Sequence, residues 1–368
     1  MTTALPLPAY DHERVEVVTG RRSGLVVVVA LHSSALGSAI GGARVWTYPR
    51  WGDALGDALR LSAAMTRKNA VAGLDSGGGK SVIALEPGTR LDGDRRRAAF
   101  LDLGDAVDLL GGLYRTAEDV GSGTADMLVV RERTEHVVGL PTGAGGAGDP
   151  SGATSLGVLE SIRATLERVT GSPDLAGRHV VVAGLGHVGG QLAARLHRAG
   201  ARLTVTDIDP AKQGLARELG ATWVEPGTEH LVPADVFAPA GVGGVLTGEV
   251  IDTLAAAAVC GPANNPLADH DGAARLAARG ILYAPDFVVN AGGVIYLDLE
   301  SKRLGTHDEI MARVAGVGDT VRGVFDAAER RGVTPLEAAD GLAADRLAAV
   351  PAPVAPPAGA APTAVPVA

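Results

Sequence analysis

Apolar residues occur along this chain in two spacings, and the alternation of the two predicts its elements. Unbroken apolar runs at residues 25–31, 179–183 and 203–206 have the length of buried strands. Stretches at 52–70 (Leu55, Ala58, Leu59, Leu61, Ser62, Met65) and 95–113 (Phe100, Leu101, Leu103, Val107, Leu110) recur at helical spacing. Around them we expect a strand at 15–18 beside 25–31, and a loop at 33–42 in which Gly41-Gly42 permits close backbone approach to a ligand. Residues 70–85 read as a glycine-rich turn entering a strand. Residues 111–127 read as a loop bearing Glu118, Asp119 and Asp126, and the Gly- and Pro-rich stretch 139–153 as a hinge. Downstream, helices are expected at 154–170, 191–198, 212–219, 250–257 and 272–278. They alternate with strands at 236–238, from 259 into Ala263-Asn264-Asn265, and at 281–283. A long amphipathic pattern fills 307–331, and a last short helix ends near 347. Such alternation implies a parallel sheet with helices on both faces and ligands outside the carboxyl ends of its strands. Asn264, Asn265 and Asn290 follow apolar runs and would sit on that edge.

The stretch 179–207 carries the most specific pattern. Its strand run is followed by Gly184-Leu-Gly186-His187-Val188-Gly189, a helical stretch, a second strand run and Asp207. Each glycine has a reason in dinucleotide binding. Gly184 makes the tight turn, Gly186 lets the backbone approach a pyrophosphate, and Gly189 lets the helix pack close to the strand. The helix N-terminus then faces the negative charge. Asp207 lies 23 residues after Gly184, near the spacing of a carboxylate that accepts from a ribose 2′-hydroxyl. A 2′-phosphate would meet a like charge there, so the pattern implies NAD rather than NADP. A chain with 51 glycines matches such a motif by chance easily, and it is the strand before, the helix after and the acid that make this one specific.

At 368 residues, with 46% hydrophobic and 20% charged, the chain is long enough for two domains with sizeable cores. Aromatics are only 3%, so those cores are built from Ala, Val and Leu. A net charge of −9 argues against nucleic acid or an anionic membrane as partner. The single cysteine, Cys260, excludes an internal disulfide and a cysteine-based metal cluster, and reads as a small buried apolar residue. The apolar run at 25–31 is too short to span a bilayer, and the first fifteen residues carry no apolar signal core. A cytoplasmic enzyme is expected. The tail beyond 349 holds six prolines and is expected to be disordered.

Three polar groups in the first half stand out. Lys68 ends a helix-period stretch, Lys80 sits where a glycine turn meets a strand, and Asp119 lies between apolar runs. Gly79-Lys80-Ser81 invites a phosphate-loop reading, but that pattern needs glycine where the chain has Leu74, and a helix where it has a strand. A lysine desolvated beside a second cation has a lowered pKa and can act as a base near neutral pH.

At these residues the chain resembles the glutamate, leucine, phenylalanine and valine dehydrogenase family, and within it the branched-chain members, valine and leucine dehydrogenase. The resemblance runs from about residue 31 to 347, and its motifs stand in order: Gly41-Gly42, MTRKNAVAGLDSGGGK, TAEDVG, GLGHVG, ANN and APDFVVNAGG. The resemblance implies an α/β chain of two domains separated by a cleft. Residues 1–148 would form the substrate-binding and catalytic domain, with helices at 325–348 packing back on it. Residues 149–324 would form a doubly wound, Rossmann NAD-binding domain, and 349–368 an Ala/Pro tail. It implies NAD-dependent oxidative deamination of a branched-chain L-amino acid to the 2-oxo acid and ammonia, by a homo-oligomer whose partners are small molecules. Lys68 matches the lysine that holds the substrate carboxylate, with a backbone contact from Gly42. Lys80 matches the catalytic lysine that activates water, and Asp119 the acid that manages protons at the substrate nitrogen. Asn264 and Asn290 match asparagines bordering substrate and nicotinamide, and Thr154 a threonine near the nicotinamide amide. Ile40 stands where glutamate enzymes place a lysine; with Ala117, Val294 and Leu297 it implies an apolar side-chain pocket. Thr116-Ala117-Glu118-Asp119 follows the branched-chain form rather than the Thr-Gly-Pro-Asp of phenylalanine enzymes. The chain departs from some relatives at Ala240-Gly241-Val242-Gly243, where they read Cys-Ala-Leu-Gly. A phenylalanine-preferring enzyme is the alternative within the class. Outside it stands a non-catalytic nucleotide-binding sensor, against which the retention of both lysines and the aspartate argues.

Overall fold

The computed structural model describes residues 10–350, so the proline-rich tail lies outside the described residues. The first sheet is built from β1 (Arg14–Thr19), β2 (Val26–Ser33), β3 (Ala39–Thr47), β4 (Gly78–Leu85) and β5 (Tyr114–Glu118), in the order β1-β2-β4-β3-β5. β2 runs antiparallel to β1 and β4, while β3 is parallel to β4 and β5. Helices α1 (Trp51–Val71), α2 (Gly93–Asp108) and α3 (Thr124–Arg131) belong to this half. β2 is almost wholly apolar because both of its faces are covered: Val27, Val29 and Leu31 pack with Phe100 and Leu103 of α2, and Val28 and Ala30 with Ala54 and Ala58 of α1. Each of these valine, leucine and phenylalanine side chains contributes about 1.5–3 kcal/mol by burial, set against the entropy of ordering it, and each alanine less.

α4 (Ser151–Thr170) leads into the second sheet. Its strands are β6 (His179–Ala183), β7 (Arg202–Thr206), β8 (Thr222–Trp223), β9 (Ala234–Pro239), β10 (Ala256–Val259) and β11 (Leu282–Tyr283), ordered β11-β10-β9-β6-β7-β8. All its pairings are parallel. Helices α5 (His187–Arg198), α6 (Gln213–Glu218), α7 (Gly248–Thr253) and α8 (Gly272–Ala278) alternate with the strands. The strand order reverses at β6, between β7 and β9, which is where a doubly wound sheet opens its ligand crevice. The chain closes with α9 (Asp286–Val289), α10 (Gly292–Ser301), α11 (His307–Ala315), α12 (Val317–Arg331) and α13 (Pro335–Ala348). α11 and α13 begin on capping boxes, Thr306 with Glu309 and Thr334 with Glu337. α13 packs back on α1.

Four expectations from the sequence are corrected. Residues 39–42 are not loop but the start of β3, and the expected loop at 111–127 contains β5 and the start of α3. The helix expected to reach 257 ends at Thr253, and β10 takes Ala256–Val259 in place of a strand running on to Asn265. An alanine run carries no period to separate the two states. The long pattern at 307–331 is two helices, divided at Gly316, a residue with low helix propensity.

Candidate active site

β4 supplies Lys80, α1 supplies Lys68 and the residue just after β5 is Asp119, all at a single cavity of about 320 Å³. On α1, Leu61, Ala64, Met65 and Lys68 form one helical stripe, and all four line the cavity. Gly41 and Gly42 are buried in β3 and line it too. A Cβ on Gly41 would sit 1.8 Å from the Gly79 carbonyl oxygen, and one on Gly42 2.7 Å from the Asp119 Cβ. Their smallness therefore serves strand packing at the cavity floor.

The Lys80 ammonium lies 2.9 Å from Asp119 Oδ2, and its side chain is only 6% exposed. Burial pushes the Lys80 pKa down, Asp119 opposes this and Arg44 reinforces it; the net shift is downward. Burial would raise the Asp119 carboxyl, but Lys80 and Arg44 outweigh it and hold Asp119 below the usual carboxylate range. Lys68 is lowered to about 8 by burial, with Asp286 pulling the other way. The Lys68 ammonium donates to Asn290 Oδ1 at 2.5 Å. Asn290 Nδ2 in turn donates to Asn264 Oδ1 at 2.8 Å and to the Pro262 carbonyl. Next to them Asn265 holds φ 49°, and its N–H donates to Asp286 Oδ2 at 2.7 Å. Ile40, Ala117, Val294 and Leu297 pack as one apolar group on the cavity wall, with no charged side chain among them.

Thr154 and Val188 reach the same cavity from α4 and α5. Behind Val188 lies the glycine turn. Gly184 has φ +114°, and a Cβ there would press to 2.9 Å from the Ala240 backbone. A Cβ on Gly189 would lie 2.0 Å from the Gly184 carbonyl oxygen, whereas one on Gly186 meets no protein atom within 4 Å. Two glycines thus close the turn and the third keeps open space beside the N-terminus of α5, a cradle that fits a dinucleotide's pyrophosphate. His187 is the exposed first residue of α5. Asp207 follows β7, and its Oδ2 accepts from the Leu185 N–H at 2.6 Å, which ties the acid to the glycine turn. Among the described residues no group of three or more His, Cys, Asp or Glu could hold a metal, and Cys260 is buried.

Sequence reasoning missed Arg44 and Asp286. Arg44 follows two glycines that hid β3. Asp286 stands inside APDFVVN, where its position ahead of Asn290 was the available signal.

Residues 11–136 match the family model of the Glu/Leu/Phe/Val dehydrogenase dimerisation domain. Residues 145–211 and 204–351 match that of glutamate/leucine/phenylalanine/valine dehydrogenase. Leucine dehydrogenase of Thermoactinomyces intermedius is 40% identical over 340 residues, covering 92% of this chain and 91% of that one. Valine dehydrogenase of Streptomyces albus is 42% identical over 342 residues, covering 92% of each. Among solved structures, L-tryptophan dehydrogenase from Nostoc punctiforme superposes with a TM-score of 0.78 at 36% identity, covering 92% of this chain and 96% of that one.

Proposed function

This chain belongs to the glutamate/leucine/phenylalanine/valine dehydrogenase family, and from that premise we propose how it works. It is an amino-acid oxidoreductase that deaminates branched-chain L-amino acids to their 2-oxo acids and ammonia, as its relatives' names support. The observation that carries the site assignment is the meeting of Lys68, Lys80 and Asp119 in one cavity against an apolar wall. We assign NAD as cofactor, held by Gly184, Gly186 and Gly189 with the N-terminus of α5, and by Asp207 at the ribose. Thr154 and Asn264, which line the cavity, would border the nicotinamide. When bound, it accepts the hydride leaving the substrate α-carbon.

Lys68 as a cation and the Gly42 backbone take the substrate carboxylate, and fixed positions replace a search in solution. Asn290 orients Lys68. Lys80, once neutral, removes a proton from the water that attacks the imine carbon. Asp119 exchanges protons with the nitrogen, and the carbinolamine collapses to 2-oxo acid and ammonia. Closing the cleft between residues 1–148 and 149–324 would exclude bulk water during these steps. Ile40 leaves a γ-carboxylate without the lysine that glutamate enzymes place there, so glutamate is expected to be a poor substrate. The chain acts as a cytoplasmic homo-oligomer built through its first half, whose family model is named a dimerisation domain. Among the described residues no helix is long and apolar enough to cross a membrane.

The test is the rate of NAD and of NADP reduction with L-valine, L-leucine, L-phenylalanine, L-tryptophan and L-glutamate. Valine and leucine are expected to lead, with overlap between them, because one methylene is worth only ~1–3 kcal/mol. A lead for an aromatic substrate would keep the mechanism and overturn the pocket; the likeness to L-tryptophan dehydrogenase favours that second reading. No rate with any of them, in folded protein that binds NAD, would leave a nucleotide-binding sensor.

The Lys68 assignment has its own consequence. Its pKa stands at about 8, and a bound carboxylate favours the cation. Affinity for the 2-oxo acid of leucine should therefore fall as pH rises past 8, by up to about tenfold per pH unit, because one pKa unit is a factor of ten in binding. Inhibition constants measured across that range, in wild type and Lys68→Met, check this. Equal slopes in both proteins would remove Lys68 from carboxylate binding.

A further inference from the structure

Arg44 lies outside every role assigned so far, yet it lines the same cavity. Its Nε donates to Asp119 Oδ2 at 3.1 Å, the oxygen that Lys80 also meets at 2.9 Å. Its Nη1 donates to Asp57 Oδ2 on α1 at 3.0 Å, and Asp57 is held in turn by the Tyr48 hydroxyl at 2.7 Å and by Arg60. The guanidinium is one-fifth exposed, as is the Asp119 side chain. Its fork matches two carboxylates on different elements, a geometry that a lysine cannot reproduce.

We propose that Arg44 is a positioning residue for the deamination: it pins one oxygen of Asp119 against Lys80 and keeps a permanent positive charge beside that lysine. The inference rests on the roles proposed above for Lys80 and Asp119. With Oδ2 occupied by two cations, Oδ1 is the oxygen left to exchange a proton with the substrate nitrogen.

The Asp119 backbone is fixed by other means. Its N–H donates to Ser122 Oγ, which donates to the Ala43 carbonyl, and the Val45 N–H donates to the Val120 carbonyl. Arg44 is therefore not needed to place the loop; it sets the carboxylate and the field. The charged and titratable groups around the Lys80–Asp119 pair are Arg44, Asp57 and Tyr48 on one side and Lys68, Asp286 and Glu118 on the other. Arg44 lowers the Lys80 pKa and Asp57 raises it, so removing one or the other shifts the base in opposite directions.

The experiment compares Arg44→Gln, Arg44→Lys, Asp57→Asn and Lys80→Met in the full chain. It reads kcat and kcat/KM for leucine against pH, together with NADH affinity and Tm. Arg44→Gln should lower kcat by roughly 10–10²-fold and move the acid limb of kcat/KM up by about one pH unit, with NADH affinity kept. Arg44→Lys should restore the limb but only part of kcat. Asp57→Asn should move the limb down. An Arg44 that only tied β3 to α1 would lower Tm in the Arg44 and Asp57 variants and leave both limbs in place, which overturns the inference. If Arg44→Gln fails to fold, the other two variants decide it: the limb should stay in place with reduced kcat in Arg44→Lys and move down in Asp57→Asn, and an unmoved limb in Asp57→Asn overturns the inference. Full activity in Lys80→Met would instead overturn the reading on which the inference rests.

Discussion

Lys80→Met is expected to lower kcat for leucine by about 10²–10⁴-fold while leaving NADH binding within about twofold of wild type. The reason lies in where the lysine sits. It projects from the middle of a sheet, 6% exposed, and meets Asp119 at 2.9 Å. Methionine fills similar volume without the amine, so the sheet has no cause to collapse. The glycine turn that would hold the dinucleotide belongs to β6 and α5 on the other sheet. Methionine also removes a buried cation and leaves Asp119 with Arg44 alone, so the variant should keep its fold and lose the base. Stopped-flow traces separate the two halves of the reaction. Hydride transfer should slow less than release of the 2-oxo acid, because the water attack is the step that needs the amine. Unchanged kcat in the folded variant would move the base elsewhere in the cavity.

The site was more legible in the sequence than the sheet that carries it. The second sheet announced itself because strand, glycine turn, helix and acid recur in a fixed order, and the structure puts β6 at the point where strand order reverses. The first sheet hid β3. Ala39–Thr47 reads AIGGARVWT, and two adjacent glycines look like a turn until tertiary packing requires them to be small. Arg44 was lost with that strand. α10 was missed for a different reason. Its sequence GGVIYLDLES is apolar on most sides, since the helix is buried between neighbours, and a helix without a polar face has no period to read. Motif resemblance named Val294 and Leu297 where the pattern could not.

Asp119→Asn is expected to cost both activity and stability, and the pH dependence of the second effect identifies the first. The amide cannot carry a proton to and from nitrogen, so kcat should fall by about 10²–10⁴-fold. It also leaves the buried Lys80 ammonium and the Arg44 guanidinium without their shared anion. Breaking a fully buried pair costs ~3–5 kcal/mol; with Asp119 one-fifth exposed we expect about 2–3 kcal/mol at neutral pH. Lys80 has an escape that Arg44 lacks. Burial already pushes its pKa down, and loss of Asp119 removes the opposing influence, so the folded variant sheds the Lys80 proton at lower pH than wild type. In the unfolded chain the same lysine keeps its proton up to ~10.4. From the variant's folded value upward the unfolded state binds more protons than the folded variant, so its stability rises with pH and the deficit against wild type shrinks. Above the wild-type folded value, which burial also lowers, both proteins rise together and the deficit levels off. Urea denaturation of both proteins between about pH 6 and 10 measures this directly. A deficit that stays constant with pH would mean that Lys80 does not titrate in the folded variant, and the case for Lys80 as a tunable base would fall with it. A deficit that narrows, alongside lost turnover, ties the stability and the chemistry of this site to the same buried proton.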